Sequence, residues 1–101
     1  MTASYATEKL IKFELPNGRI YNQISTKDYK YLLTWKRSQD DDYKVIGTYK
    51  SKIAAEQKRQ YFLKIGWQET ESIIINRTSK QYLKNMTELE YYEALRLVEG
   101  G

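Results

Sequence analysis

Between Leu10 and Ile24 the chain reads LIKFEL-PNG-RIYNQI. Ile11, Phe13 and Leu15 alternate with polar or outward positions, so they share one face of an extended strand. Ile20 and Ile24 share one face of the returning segment. Between the two runs, Pro16 presets φ for the first turn position. Gly18 can take the left-handed conformation required by a type I turn closed with a bulge. This pair of runs is expected to form an antiparallel hairpin.

A second alternating pair follows. In YKYLLTWKR, Tyr29, Tyr31, Leu33 and Trp35 fall on one face, with Lys30, Leu32, Thr34 and Lys36 on the other. SQDDD, Ser38 to Asp42, is a polar turn. YKVIGTYK then puts Tyr43, Val45 and Tyr49 on one face and Lys44, Ile46, Thr48 and Lys50 on the other. Ser51 is an N-cap. At roughly 100° per residue, Ala54, Ala55, Tyr61, Phe62 and Ile65 line one arc of the next helix, which ends at Gly66. Lys58 falls inside that arc and is read as a snorkelling side chain. ESIIINR, Glu71 to Arg77, is a buried strand by length and β-branching. Thr78 to Asn85 is read as a helical turn. Thr87 and Glu90 form a capping box, with Met86 and Tyr91 placed for a hydrophobic staple. The last helix spans about Glu88 to Val98 and carries Tyr91, Ala94, Leu95 and Val98 on one face.

The expected fold is therefore α+β: two hairpins and a further strand in a mainly antiparallel sheet, with two amphipathic helices packed on it. At 101 residues the chain suits one domain, taken as residues 9–99 behind a flexible tail at 1–8.

The stretch GTYKSKIAAEQKRQYF, Gly47 to Phe62, resembles the end of the plant-type and integrase-type three-stranded DNA-binding domains. There a strand ending in Gly-Thr-aromatic leads into an alanine-rich helix behind the sheet. The resemblance implies a DNA-facing sheet in front of the helix. Those domains carry more arginine on their DNA-facing strands, whereas the strands here offer mainly lysine. Trp35, in register with Tyr31 and Leu33, is assigned to the core. The ending LRLVEGG is similar to the di-glycine tail of ubiquitin-like modifiers, but here a capped helix precedes it instead of a strand.

Composition narrows the chemistry. The chain contains no cysteine and no histidine, which removes disulfides, thiolates, the usual zinc and copper ligands and the commonest neutral-pH base. Asp40, Asp41 and Asp42 lack the alternating ligands, glycine and closing glutamate of a calcium loop. No nucleophile motif or phosphate loop is present. The expectation is a non-enzyme without metal or cofactor. No apolar run has the length of a signal peptide or a membrane span, so a cytoplasmic protein is expected.

A net charge of +4 is a mild bias that fits an acidic partner. Two binding surfaces follow. The favoured expectation is a small regulatory or accessory protein that binds a protein partner through Tyr91, Tyr92 and Leu95, tyrosine being enriched in interfaces. The alternative is nucleic-acid binding by a sheet face carrying Lys30, Lys36, Lys44 and Lys50, with Arg19 and Tyr21 beside it. Leu32 and Ile46 on that face imply that the last helix or a partner covers part of it.

Overall fold

The structure, a computed structural model, describes residues 7–36, 43–68 and 71–100, and for residues 99 and 100 the backbone alone. The start of the expected tail, the acidic turn at 38–42, Glu69 and Gly101 lie outside the described residues. The strands are β1 (Lys9–Glu14), β2 (Ile20–Ser25), β3 (Tyr31–Lys36), β4 (Tyr43–Tyr49), β5 (Ser72–Asn76) and β6 (Ser79–Tyr82). Helix α1 (Lys52–Lys64) lies between β4 and β5. A single 3-10 turn (Leu83–Asn85) leads into α2 (Glu88–Gly100).

The α+β class and the antiparallel pairing stand as expected. The strands, however, divide into two three-stranded sheets, ordered β2-β1-β6 and β4-β3-β5. Ser79–Tyr82, expected as a helical turn, pairs with β1 as β6; the 3-10 turn comes immediately after it. The polar sequence of β6 hides the strand, because pairing with β1 rather than burial of its own side chains holds it.

The two sheets face one another. Ile11, Phe13 and Leu32 have no exposed surface and, with Leu15, form the shared core; Tyr21, Tyr29, Tyr43, Val45 and Ile75 pack around it. This accounts for Leu32, whose face is covered by the first sheet. Each fully buried side chain of this kind contributes about 1.5–3 kcal/mol. Thr34 is buried on the same face of β3, and its hydroxyl donates to the Ile73 carbonyl at 3.1 Å. Tyr29 also joins this core rather than the Tyr31 face. The backbone turns irregular at Lys30, whose N–H donates to Tyr49 while its carbonyl accepts from Arg77.

Each helix roofs one outer face. On β1, Leu10 points away from the shared core and meets Leu83 and Ala94, with Ile24, Met86, Tyr91 and Val98 around them. The expected capping box forms: Glu90 N–H donates to Thr87 Oγ1 at 3.2 Å, and Thr87 N–H to Glu90 Oε1 at 3.0 Å. The helix runs on to Gly100, beyond the expected end at Val98. On the other side Ser51 Oγ accepts from Ala54 N–H at 3.1 Å and starts α1. Gly66, at φ 110°, closes it. Its N–H donates to Leu63 and the Trp67 N–H to Phe62, the two bonds of a Schellman motif. Trp67 then stacks on Phe62 at 4.3 Å and meets Trp35 edge-on at 4.9 Å.

The contact stripe of α1 is narrower than its apolar arc. Ala55 is fully buried, but Tyr61 and Ile65 are 53 % and 55 % exposed. Arg59 reaches β5, where Nε donates to Ser72 Oγ at 2.6 Å. A helical period identifies an arc but cannot say which edge of it meets the sheet. Lys58 is exposed, with Nζ 5.2 Å from the Tyr61 ring and 5.7 Å from Phe62.

Two residues carry the chain from one sheet to the other. Arg77 N–H donates to Lys30 O in the second sheet, and Thr78 N–H to Lys12 O in the first. The Arg77 guanidinium donates to Asp28 Oδ1 and Tyr29 O, both at 2.8 Å. The Arg77 hydrogen bond, helped by Lys80 nearby, holds the Asp28 carboxyl below the usual carboxylate range.

Three outcomes follow. In urea denaturation, Phe13→Ala costs about 3–5 kcal/mol. Gly66→Ala costs about 1 kcal/mol, because nothing lies within 4 Å of the added methyl and the penalty is backbone strain alone. A depressed folded pKa stabilises above the unfolded value and is lost as pH falls through the folded one. The stability gap between wild type and Asp28→Asn, present at pH 7, therefore narrows as the urea midpoints are compared at successively lower pH.

A candidate binding groove between two sheet edges

The lysines do not form one face. In the β3–β4 ladder, Leu33 pairs with Gly47 but Thr34 pairs with Val45, leaving Ile46 as a bulge. The extra residue shifts the alternation. Lys36 pairs with Tyr43 on the inter-sheet side, while Lys44 pairs with Trp35 on the side facing α1. Lys36 Nζ lies 5.6 Å from the Tyr43 ring. Lys30 and Lys50 are exposed at the Tyr31–Tyr49 end of the hairpin, roughly 17 Å along the strand from that pair.

The last helix also divides its candidates. Tyr91 is half-buried against Leu10, Leu83 and Ala94, and Leu95 is half-buried too. Tyr92 is 55 % exposed, its ring edge-on to Tyr91 at 5.5 Å. Leu89 and Leu97 stand exposed beside it.

What the fold does bring together is Arg19, Tyr21 and Lys44. They line a groove of about 470 Å³ with Leu15, Ile20, Asn22, Tyr43, Val45, Leu97 and Val98. Three elements meet there. β2 is an edge of the first sheet and β4 an edge of the second, and the end of α2 closes one flank. Tyr21 faces the inter-sheet side opposite Phe13, ring centroids 6.4 Å apart. Alternation turns Ile20 and Asn22 to the α2 side, so the groove wraps the β2 edge. Among the described residues, Arg19 and Lys44 are the charged side chains in its lining.

The polar groups of this edge are unusual. The Oδ1 of Asn22 and the Oε1 of Gln23 are buried and accept no hydrogen bond; such an acceptor costs about 1–3 kcal/mol. Leu15 N–H donates to Arg19 O, whereas Lys12 O accepts from Thr78 beside β6. Odd residues of β1 therefore direct their backbone at β2, and even residues at β6. The register pairs Tyr21 and Gln23 with odd residues, and Ile20, Asn22 and Ile24 with even ones. The backbone N–H and C=O of those last three point outward, away from β1.

A second cleft of about 470 Å³ lies beside the Trp35–Trp67 corner at the end of α1, lined by Trp35, Lys36, Lys44, Ile46, Gly66, Trp67, Gln68 and Glu71. Its aromatic rings are already engaged with one another. Among the described residues no group of three His, Cys, Asp or Glu side chains could hold a metal ion.

Ile20, Tyr43, Val45 and Leu97 escape a sequence reading as site residues. Each looks like ordinary strand or helix surface, and only the meeting of two sheet edges makes them neighbours. The lone signal on the page of the sequence is IYNQIS itself, an edge-length run without charge.

Comparison with known proteins finds no matching family model, no matching curated protein and no matching solved structure.

Burial raises the Tyr21 phenol above the ordinary tyrosine value. A raised folded pKa leaves the stabilisation complete below the unfolded value of about 10 and removes it as pH rises through the folded one. The ring resonances of Tyr21, assigned by difference against Tyr21→Phe, should titrate later than those of free tyrosine.

Proposed function

We propose that the protein is a small cytoplasmic regulatory or accessory protein, non-enzymatic, that acts by binding a protein partner in the groove between β2 and β4. The observation that carries this reading is the groove's apolar rim: Ile20 and Leu97 are 49 % and 47 % exposed on either side of a lining that includes Tyr21, Tyr43 and Val45. Large apolar side chains around a concave surface with tyrosines at its centre are the composition of an interface core. Tyr92 is exposed on another side of α2, outside the groove lining. Among the described residues no helix is long and apolar enough to cross a membrane.

Nucleic-acid binding has less support. Following a phosphate backbone needs cations in a continuous track. Arg19 and Lys44 line the groove, but Lys30 and Lys50 stand at the far end of the hairpin.

The test is reconstitution with a partner captured from the source cells, titrated by calorimetry. Leu97→Asp, at an exposed position, should leave the thermal midpoint within a few degrees of wild type and weaken binding by about 2 kcal/mol or more. Tight binding to generic DNA or RNA that falls steeply with salt, with no protein partner recovered, sinks the proposal.

A further inference from the structure

The tip of the first hairpin carries a reactive pair, Asn17 followed by Gly18. We propose that Asn17 is a site of spontaneous modification in the folded chain. Its side chain cyclises onto the Gly18 backbone nitrogen, loses ammonia and is converted to isoaspartate and aspartate. This chemistry is independent of what the groove binds.

Three observations carry it. First, Asn17 and Gly18 are both exposed, at a loop tip, where local opening costs least. Gly18 N–H donates to Leu15 O at 2.9 Å, and such opening releases that bond. Second, Asn17 Oδ1 accepts from the Arg19 N–H at 3.1 Å, which makes an Asx turn. The bond closes a ring that runs through Asn17 Cγ and the Gly18 nitrogen, so the electrophilic carbon is folded back toward the nucleophile. The same N–H stabilises the negative charge that develops on Oδ1 during attack. Third, Gly18 has no side chain, and nothing lies within 4 Å of where a Cβ would stand, so the nitrogen is uncrowded. Asn22, Asn76 and Asn85 are followed by Gln23, Arg77 and Met86, whose side chains stand beside the attacking nitrogen.

Solvent hydroxide removes the Gly18 amide proton, and the nitrogen attacks Asn17 Cγ. The N–Cγ bond forms, the bond from Cγ to the side-chain nitrogen breaks, and that nitrogen leaves as ammonia with a proton from water. Water then opens the cyclic imide. Cleavage between Gly18 N and Cγ gives aspartate. Cleavage between Gly18 N and the Asn17 main-chain carbonyl carbon gives isoaspartate, whose backbone runs through Cβ and Cγ. Water is consumed, ammonia is released, and nothing is oxidised or reduced. Either product puts a carboxylate close in the chain to Arg19. Isoaspartate also lengthens a turn closed by the Leu15 N–H to Arg19 O and Gly18 N–H to Leu15 O bonds. Leu15 and Arg19 line the groove, so conversion alters that end of it.

The full chain is incubated in neutral and in mildly alkaline buffer, with a urea-unfolded sample alongside, and then cut with trypsin. The peptide Phe13–Arg19, released by cleavage after Lys12 and Arg19, should separate into asparaginyl, aspartyl and isoaspartyl forms, the last identified by isoaspartyl methyltransferase labelling. In the folded chain isoaspartate should exceed aspartate and accumulate faster in the alkaline buffer, while the peptides holding Asn22, Asn76 and Asn85 stay asparaginyl. Asn17→Gln keeps the amide but closes a larger ring far more slowly. It should lose the isoaspartyl signal and retain the circular dichroism spectrum.

A folded chain that stays asparaginyl at Asn17 overturns the proposal, whether or not the unfolded chain converts. Aspartate without isoaspartate overturns it too, because direct hydrolysis passes through no imide. So does conversion of Asn22, Asn76 or Asn85 as fast as Asn17, or an isoaspartyl signal that persists in Asn17→Gln.

Discussion

Ile11 and Phe13 of β1 press against Leu32 of β3 across the space between two sheets, and none of the three has any exposed surface. Both central strands are also covered on their other faces, β1 at Leu10 by α2 and β3 at Trp35 by the α1 corner. The architecture is thus four layers, helix, sheet, sheet, helix, around one inter-sheet seam. Neither helix has a place without it, because each docks on the back of a strand whose front is held by the other sheet. The seam also sets β2 and β4 side by side, so the groove is a consequence of the same packing.

The seam is kept in register by polar contacts at its end. Arg77 and Thr78 carry the chain between the sheets, each donating its N–H to one of them. Asp28 takes the Arg77 guanidinium at 2.8 Å, with Lys80 at 3.6 Å. Lys9, buried at the other end of the β1–β6 ladder, donates from Nζ to Thr26 O at 2.9 Å. The chain passes between the two sheets through the β5–β6 link and also through the β2–β3 link that runs from Ser25 to Tyr31.

Local chemistry in the chain is legible wherever the partner group lies a few residues away. Leu15 N–H meets Arg19 O across the PNG turn, Ser51 caps α1, Thr87 and Glu90 cap each other, and Gly66 ends its helix with Trp67 folded back on Phe62. The lysine face fails at one residue. A bulge at Ile46 inverts the alternation between Lys44 and Lys50, and nothing in YKVIGTYK announces where an extra residue will be left unpaired. Strand β6 is equally silent, since SKQY has no apolar face to display its period.

Sequence alone determined the α+β class, the first hairpin, both helix caps and the absence of thiol and imidazole chemistry, because each depends on residue types or on spacings within one turn. Tertiary structure decided that there are two sheets rather than one, that Leu32 faces a second sheet instead of water, and that Arg19, Tyr21 and Lys44 share a groove with Leu97 while Lys30 and Lys50 stand apart. Those outcomes hang on pairings across tens of residues, such as β1 with β6 and β3 with β5. Alternation tells a strand which residues lie together, but it does not tell the strand what will come to cover them.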